Sequence, residues 1–157
     1  MFYQVEFTVE PTGREYVGLI KVATGYCSSF LLIERHEISL GQSAKNIISD
    51  LDRFILNEAE ASEWPGTRLV GHSALVREYK LNDDSAQVLA NAALSLYSWQ
   101  QPELLEDLCF LRFNRRPWLI SIAHENDGYL YLEPEEERFF RARGMHIRRT
   151  GVTLPDG

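Results

Sequence analysis

The sequence is short of the features that announce a membrane anchor, a disulfide scaffold or a phosphate cradle. No stretch approaches the roughly 18 uninterrupted apolar residues that a spanning helix needs, so no membrane partner is expected. The opening segment, MFYQVEFTVE, lacks a charged start, an apolar run and a small-residue cleavage site, and it is not read as a signal peptide. Only Cys27 and Cys109 are present. One possible pair is no disulfide framework, and both cysteines sit in apolar stretches, where they are expected to behave as small hydrophobes. These absences favour a cytoplasmic protein. Positive charge is also scarce: 16 basic side chains face 23 acidic ones, a formal charge of −7. Such a balance is unsuited to gripping phosphates, so no nucleic-acid partner is expected. A zinc helix needs H-E-x-x-H, and a nucleotide cradle needs G-x-x-x-x-G-K-[ST] or G-x-G-x-x-G; none occurs. No metal and no cofactor are expected.

What is present is ordinary globular composition, 45% hydrophobic and 25% charged over 157 residues, a length that suits one domain. The reading is a single domain over residues 1–150 with a C-terminal tail at 151–157. FYQVEFTVE alternates with period two, as a half-buried strand does. EYVGLIKVAT and SSFLLIERHEI are read as two further strands. The period then changes: Ala44, Ile47, Ile48, Leu51, Phe54 and Ile55 form a helical stripe, with Ser39 and Gln42 at the spacing of a capping box. RLVGHSALVREYK suits a strand, and a second helix is predicted from Asn82 or Asp83. DLCFLRF, PWLISIAH and GYLYLE are predicted strands, with a hairpin turn at Asp127–Gly128. A last helix begins at Pro134, with acidic residues in its first turn and arginines toward Gly144. The order βββ-α-β-α-βββ-α gives an α+β domain in which helices cover one face of an antiparallel sheet.

The chemistry-bearing residues are dispersed in sequence. His124–Glu125 has the composition of an acid–base pair, but neighbours on a strand diverge, and a strand-end role is expected. His36–Glu37 is read in the same way. The segment Gly71-His72-Ser73-Ala74-Leu75 lacks the second glycine of a nucleophile elbow. Near the C-terminus the expected ion pairs are Glu135–Arg138 and Glu137–Arg141, at helical spacing; Arg148 and Arg149 either pack on the acidic body or stay solvated.

The block PELLEDLCFLRFNRRPWLISIAHENDGYLYL, about residues 102–132, resembles a segment of small bacterial cytosolic proteins of the immunity or antitoxin type. The likeness rests on Glu106-Asp107-Leu108-Cys109-Phe110, Pro117-Trp118-Leu119 and Ser121-Ile122-Ala123-His124-Glu125. It implies a non-enzymatic domain that occludes a toxin and brings no catalytic residues with it. An acidic surface fits that role, because it speeds encounter with a basic protein partner. The candidate contact residues are Glu125, Asp127, Glu133, Glu135 and Glu136, with Asp50 and Asp52 as a second patch. The alternatives are a hydrolase-like enzyme assembled from His124, Glu125, His72 and Ser73, and a small-molecule binder whose cavity is lined by Trp64, Trp99 and Trp118.

Overall fold

The computed structural model describes residues 1–156. The chain begins β1 (Phe2–Phe7), α1 (Arg14–Tyr26), β2 (Cys27–Arg35) and α2 (Gln42–Leu51). It continues β3 (Ile55–Ala61), β4 (Glu63–Trp64), β5 (Thr67–Arg68), β6 (Ala74–Lys80) and α3 (Asp83–Ala92). Last come β7 (Glu106–Arg112), β8 (Pro117–Ile122), β9 (Asp127–Leu132), α4 (Pro134–Ala142) and β10 (Ile147–Leu154). Eight strands form one sheet in the order β10-β1-β9-β8-β7-β2-β6-β3, every neighbouring pair antiparallel. No helix is long and apolar enough to cross a membrane.

All four helices pack on one face of the sheet. Tyr16, Leu19, Ile20 and Ala23 of α1, Ala86 and Leu89 of α3 and Phe140 of α4 meet Phe30, Leu32, Phe110 and Leu130 in one core. Leu31, Ile33, Cys109, Leu111 and Ile120 point to the other face, where the β4–β5 hairpin lays Trp64 over them. The α+β class with an antiparallel sheet is therefore as expected. Trp118 departs from the alternation. It is the extra residue of a bulge opposite Phe110 and Leu111, so Trp118 and Leu119 both enter the helix-side core.

Several elements differ from their predicted form. The second strand expected in EYVGLIKVAT is the helix α1. Its β-branched Val17, Ile20 and Val22 imitate strand composition, yet the buried residues Tyr16, Leu19, Ile20 and Ala23 follow the helical i, i+3, i+4, i+7 spacing. The order therefore opens β-α-β, not βββ. The first predicted helix stops at Leu51, and Ile55–Ala61 turns into the edge strand β3. Gly41, not Ser39, caps α2, and no side-chain hydrogen bond closes there. By contrast, α3 starts as predicted. Ser85 N–H donates to Asn82 Oδ1 at 2.9 Å, and Asn82 N–H to Ser85 Oγ at 3.0 Å. In α4, Pro134 occupies the first turn and Glu133 N–H donates to Glu136 Oε1 at 2.8 Å.

The segment expected as a tail from residue 151 lies largely within β10, which covers the free edge of β1. An unpaired edge exposes a row of backbone donors and acceptors, and Arg148 and Arg149 help close it. Arg148 pairs with Glu6, and Arg149 reaches Glu137 Oε2 at 2.7 Å with its guanidinium 3.8 Å from the Tyr3 ring centre. Both arginines pack back on the body. Glu137–Arg141 forms as predicted, at 3.0 Å.

Candidate functional site

The sheet register places one end of β1, β2, β6, β7, β8, β9 and β10 on a common rim. All four histidines lie at this rim: His146 before β10, His124 after β8, His36 after β2 and His72 before β6. They share a rim without sharing a point, because neighbouring strands stand about 4.8 Å apart. Two groups result.

The first group surrounds the start of β7. Side chains of consecutive strand residues ordinarily diverge, but Glu106 and Asp107 converge. Asp107 has φ 54°, the left-handed region, and the register against β2 slips there, Leu31 facing Cys109 and Ile33 facing Glu106. A non-glycine residue in that region costs on the order of 1 kcal/mol, and such strain collects at functional positions. The strand β8 ends at Ile122, and Ala123–Glu125 closes into a 3-10 turn. One ligand atom each from Glu106, Asp107 and His124 then lies within 4.8 Å of the others.

The carboxylates are held from several sides. Ala123 N–H donates to Asp107 Oδ1 at 3.1 Å, and Trp64 Nε1–H to Asp107 Oδ2 at 3.4 Å. Gln101 N–H donates to Glu106 Oε1 at 3.0 Å, while the buried Glu106 Oε2 has no partner. The Gln101 side chain accepts from Arg35 N–H and donates to the carbonyls of Arg35 and Ile38, binding the end of β2 to the loop before β7. Burial pushes the Glu106 carboxyl above its usual range; the Gln101 hydrogen bond opposes this and the Asp107 charge adds to it. Burial likewise raises Asp107, against hydrogen bonds from Ala123 and Trp64. Among the described residues neither carboxylate has a Lys, Arg or His nitrogen within ion-pair distance. The Arg35 guanidinium sits instead over the Trp64 ring, 5.4 Å from its centre.

The second group lies at the β6 side of the rim and is exposed. His36 Nε2 is 2.6 Å from Glu60 Oε1, Ser73 Oγ–H donates to Glu60 Oε2 at 2.9 Å, and His72 Nε2 is 3.4 Å from Glu37 Oε1. Glu60 thus stands between serine and imidazole. An activated nucleophile needs the imidazole to take the hydroxyl proton, and this arrangement offers Ser73 a carboxylate. His124 and Glu125 are elsewhere, three strand spacings away in sheet order. The expected hydrolase constellation of His124, Glu125, His72 and Ser73 is not brought together. His124 Nε2 and Glu125 Oε1 are 3.8 Å apart, beyond hydrogen-bond reach.

The tryptophans do not line one cavity either. Trp99 and Trp118 are fully buried on the helix side, and Trp64 lies across the sheet. Trp99 Nε1–H donates to Tyr16 Oη at 3.0 Å, a core contact.

The acidic candidates divide into separate regions. Glu125 is exposed and Asp127 half-buried at the β8–β9 turn. Glu133 and Glu135 are exposed at the opposite end of β9, roughly 20 Å along the strand. Asp50 and Asp52 are exposed at the end of α2. Glu136 is not a surface carboxylate. It is 5% exposed and binds Arg112 Nη2 at 2.6 Å, because its place on α4 faces the sheet. The expected type I′ turn at Asp127–Gly128 is also displaced: Asn126 supplies the positive φ, and Gly128 pairs with Ser121 inside the ladder.

Glu106 and Asp107 escaped the reading by motif. The signal was available: two acidic residues open EDLCFLR, a strand otherwise apolar on both faces, and carboxylates are rarely buried without a partner. Compared with family models, curated proteins and solved structures, the chain matches none of them.

Proposed function

We propose that the chain is a non-catalytic protein-binding domain of the toxin-neutralising immunity type, which receives a basic partner at the acidic corner beside the β8–β9 turn. The observation that carries this reading is the setting of Tyr97. Tyr97 N–H donates to Glu10 Oε1 at 2.8 Å, and its hydroxyl lies against Gly128, next to Asp127. Glu6 stands opposite Tyr129 in the sheet, so these carboxylates gather at one corner, with Glu125 exposed on the adjoining turn. Arg148 offsets Glu6; Glu125 and Asp127 remain outward charge. Glu133, Glu135, Asp50 and Asp52 stand away from this corner and have no part in the contact.

The arginines support the same reading. Arg77, Arg112, Arg115, Arg141, Arg148 and Arg149 are each paired with a carboxylate of the chain itself. Six of the 16 basic side chains are thus held by the chain itself, and the net charge of −7 leaves carboxylates in excess. A concentrated acidic corner steers a cationic protein and raises its association rate, an effect that salt removes. The bacterial and cytoplasmic setting belongs to this proposal through the resemblance of residues 102–132.

The test is stopped-flow association with a panel of basic bacterial toxin domains, from low to high ionic strength. The double change Glu125→Lys/Asp127→Lys is expected to lower the rate at low salt by about tenfold or more, while Asp50→Lys/Asp52→Lys leaves it near the parent value. A rate indifferent to salt and to the Glu125 and Asp127 changes refutes the proposal.

A further inference from the structure

We infer that Glu106, Asp107 and His124 form a binding site for one divalent transition-metal cation of the zinc class, open to solvent on the His124 side. The inference is independent of the partner contact proposed above. It begins from geometry. Three residues of metal-binding type present ligand atoms within 4.8 Å of one another, two of them buried and His124 exposed. Ligands of a tetrahedral zinc at about 2.0–2.1 Å stand roughly 3.3 Å apart, so closure requires movements on the order of 1 Å. The exposed His124 side chain has that freedom.

A second, independent observation points the same way. Glu106 is 4% exposed, yet its Oε2 has no hydrogen-bond partner. Its other oxygen is occupied by Gln101 N–H. Buried polar atoms are almost always satisfied, and an exception calls for an absent partner. Two adjacent buried carboxylates without an ion pair are costlier still. A bound cation supplies what both lack.

The surroundings also have the form of a supporting shell. Metal-bound carboxylates are usually oriented by further hydrogen bonds, and Asp107 receives them from Ala123 N–H and the Trp64 indole. The left-handed backbone at Asp107 brings its carboxylate to the side of Glu106, where a regular strand would send it to the other face. The second histidine group differs at each point: its carboxylates are exposed and already engaged by His36, His72 and Ser73.

The ligand chemistry selects the ion. Calcium takes six to eight oxygen ligands and magnesium keeps an octahedral shell of oxygen and water. Two carboxylates with one imidazole suit zinc or cobalt, the remaining position being held by water.

The test uses the full chain without an affinity tag, stripped with a chelator and titrated calorimetrically with Zn2+. One equivalent is expected to bind at about micromolar affinity or tighter, with Mg2+ and Ca2+ at least about a hundredfold weaker. His124→Ala, an exposed position that leaves the core intact, is expected to weaken Zn2+ by about tenfold or more. Glu106→Gln is nearly isosteric and is expected to do the same, and His36→Ala/His72→Ala is expected to change nothing. Co2+ should give visible absorption bands that His124→Ala alters. Absence of Zn2+ binding up to millimolar concentration overturns the inference. So does undiminished binding in both His124→Ala and Glu106→Gln, or a loss of binding in His36→Ala/His72→Ala.

Discussion

Replacing Arg112 with methionine should expose how much of the fold depends on one buried ion pair. Arg112 leaves the end of β7 toward α4, where its Nη2 lies 2.6 Å from Glu136 Oε1 and 2.9 Å from the Tyr131 carbonyl. Its guanidinium also sits 4.8 Å from the centre of the Phe2 ring, so β1, β7, β9 and α4 meet at this group. Glu136 is 5% exposed, and its second oxygen has no partner. Methionine keeps much of the apolar stem but leaves that carboxylate buried and unpaired. Stranding one member of a buried pair costs about 3–5 kcal/mol. At roughly 2–4 °C per kcal/mol for a chain of this size, Tm should fall by about 10 °C. The decisive comparison is Arg112→Met/Glu136→Gln. Glutamine still accepts from Glu133 N–H, as a capping box allows, but carries no charge to strand. The double variant should therefore recover at least about half of the loss, read by urea denaturation with unchanged slope. If the two substitutions simply add, or the single change costs under about 1 kcal/mol, the pair is not the clamp described.

Acid should weaken the chain through Glu78 and Glu137. Arg115 holds the Glu78 carboxyl below its usual range, and Arg149, then Arg141, hold Glu137 below it. A depressed folded-state pKa gives stability that is full above the unfolded value, about 4.3, and is lost as pH falls toward the folded one. Denaturation from pH 7 to pH 3 should show this slope, and Arg115→Ala and Arg149→Ala should each flatten it. The thiols should be inert in the native chain: burial pushes Cys109 up to about 12 and raises Cys27 as well. A disulfide reagent should react with both only after denaturant is added; rapid reaction of either in the folded protein contradicts its placement. Gly128→Ala should cost about 1–3 kcal/mol, since a Cβ there would stand 2.9 Å from Tyr97 Oη and 3.1 Å from Phe7 Cδ2. A neutral result in thermal unfolding would contradict that packing.

How far the sequence could be read depended on whether local pattern and tertiary role agreed. The segments of β1, β7, β8 and β9 alternate or run apolar as their burial requires, and Asn82 and Pro134 mark helix starts through local hydrogen bonds or a fixed φ. Those were legible. The helix α1 was not, because β-branched Val17, Ile20 and Val22 suggested strand while the Tyr16–Leu19–Ile20–Ala23 stripe faced the core. Strand β3 was hidden for the opposite reason. As an edge strand it exposes Leu56, Asn57, Glu58, Ala59 and Glu60 in succession, and the alternation that reveals a strand is absent. It is defined by pairing with β6, a partner that local pattern cannot name.

The site illustrates the same limit more sharply. His124 was visible as a strand-end histidine, and Glu106 and Asp107 as residues of a likeness, but their meeting depends on three departures from regularity. Asp107 must adopt a left-handed backbone, β8 must end at Ile122 in a 3-10 turn, and the β4–β5 hairpin must swing Trp64 beneath the carboxylate. Each departure costs something alone: positive φ at Asp107 and two buried carboxylates are unfavourable by ordinary packing rules. The hydrogen bonds from Gln101, Ala123 and the Trp64 indole need only neutral acceptors, so the fold gives no compensation for the two buried charges themselves. Their presence therefore calls for a separate benefit, and a cation held between them provides one. Reversing the logic gives a last prediction. Glu106→Gln/Asp107→Asn keeps oxygens that accept from Gln101, Ala123 and Trp64 and removes only the charges. It should leave a cooperatively unfolding chain at least as stable as the parent in chelator, with Zn2+ raising the Tm of the parent alone. If the amide pair instead destabilises the chain by more than about 2 kcal/mol, the charges serve the fold itself.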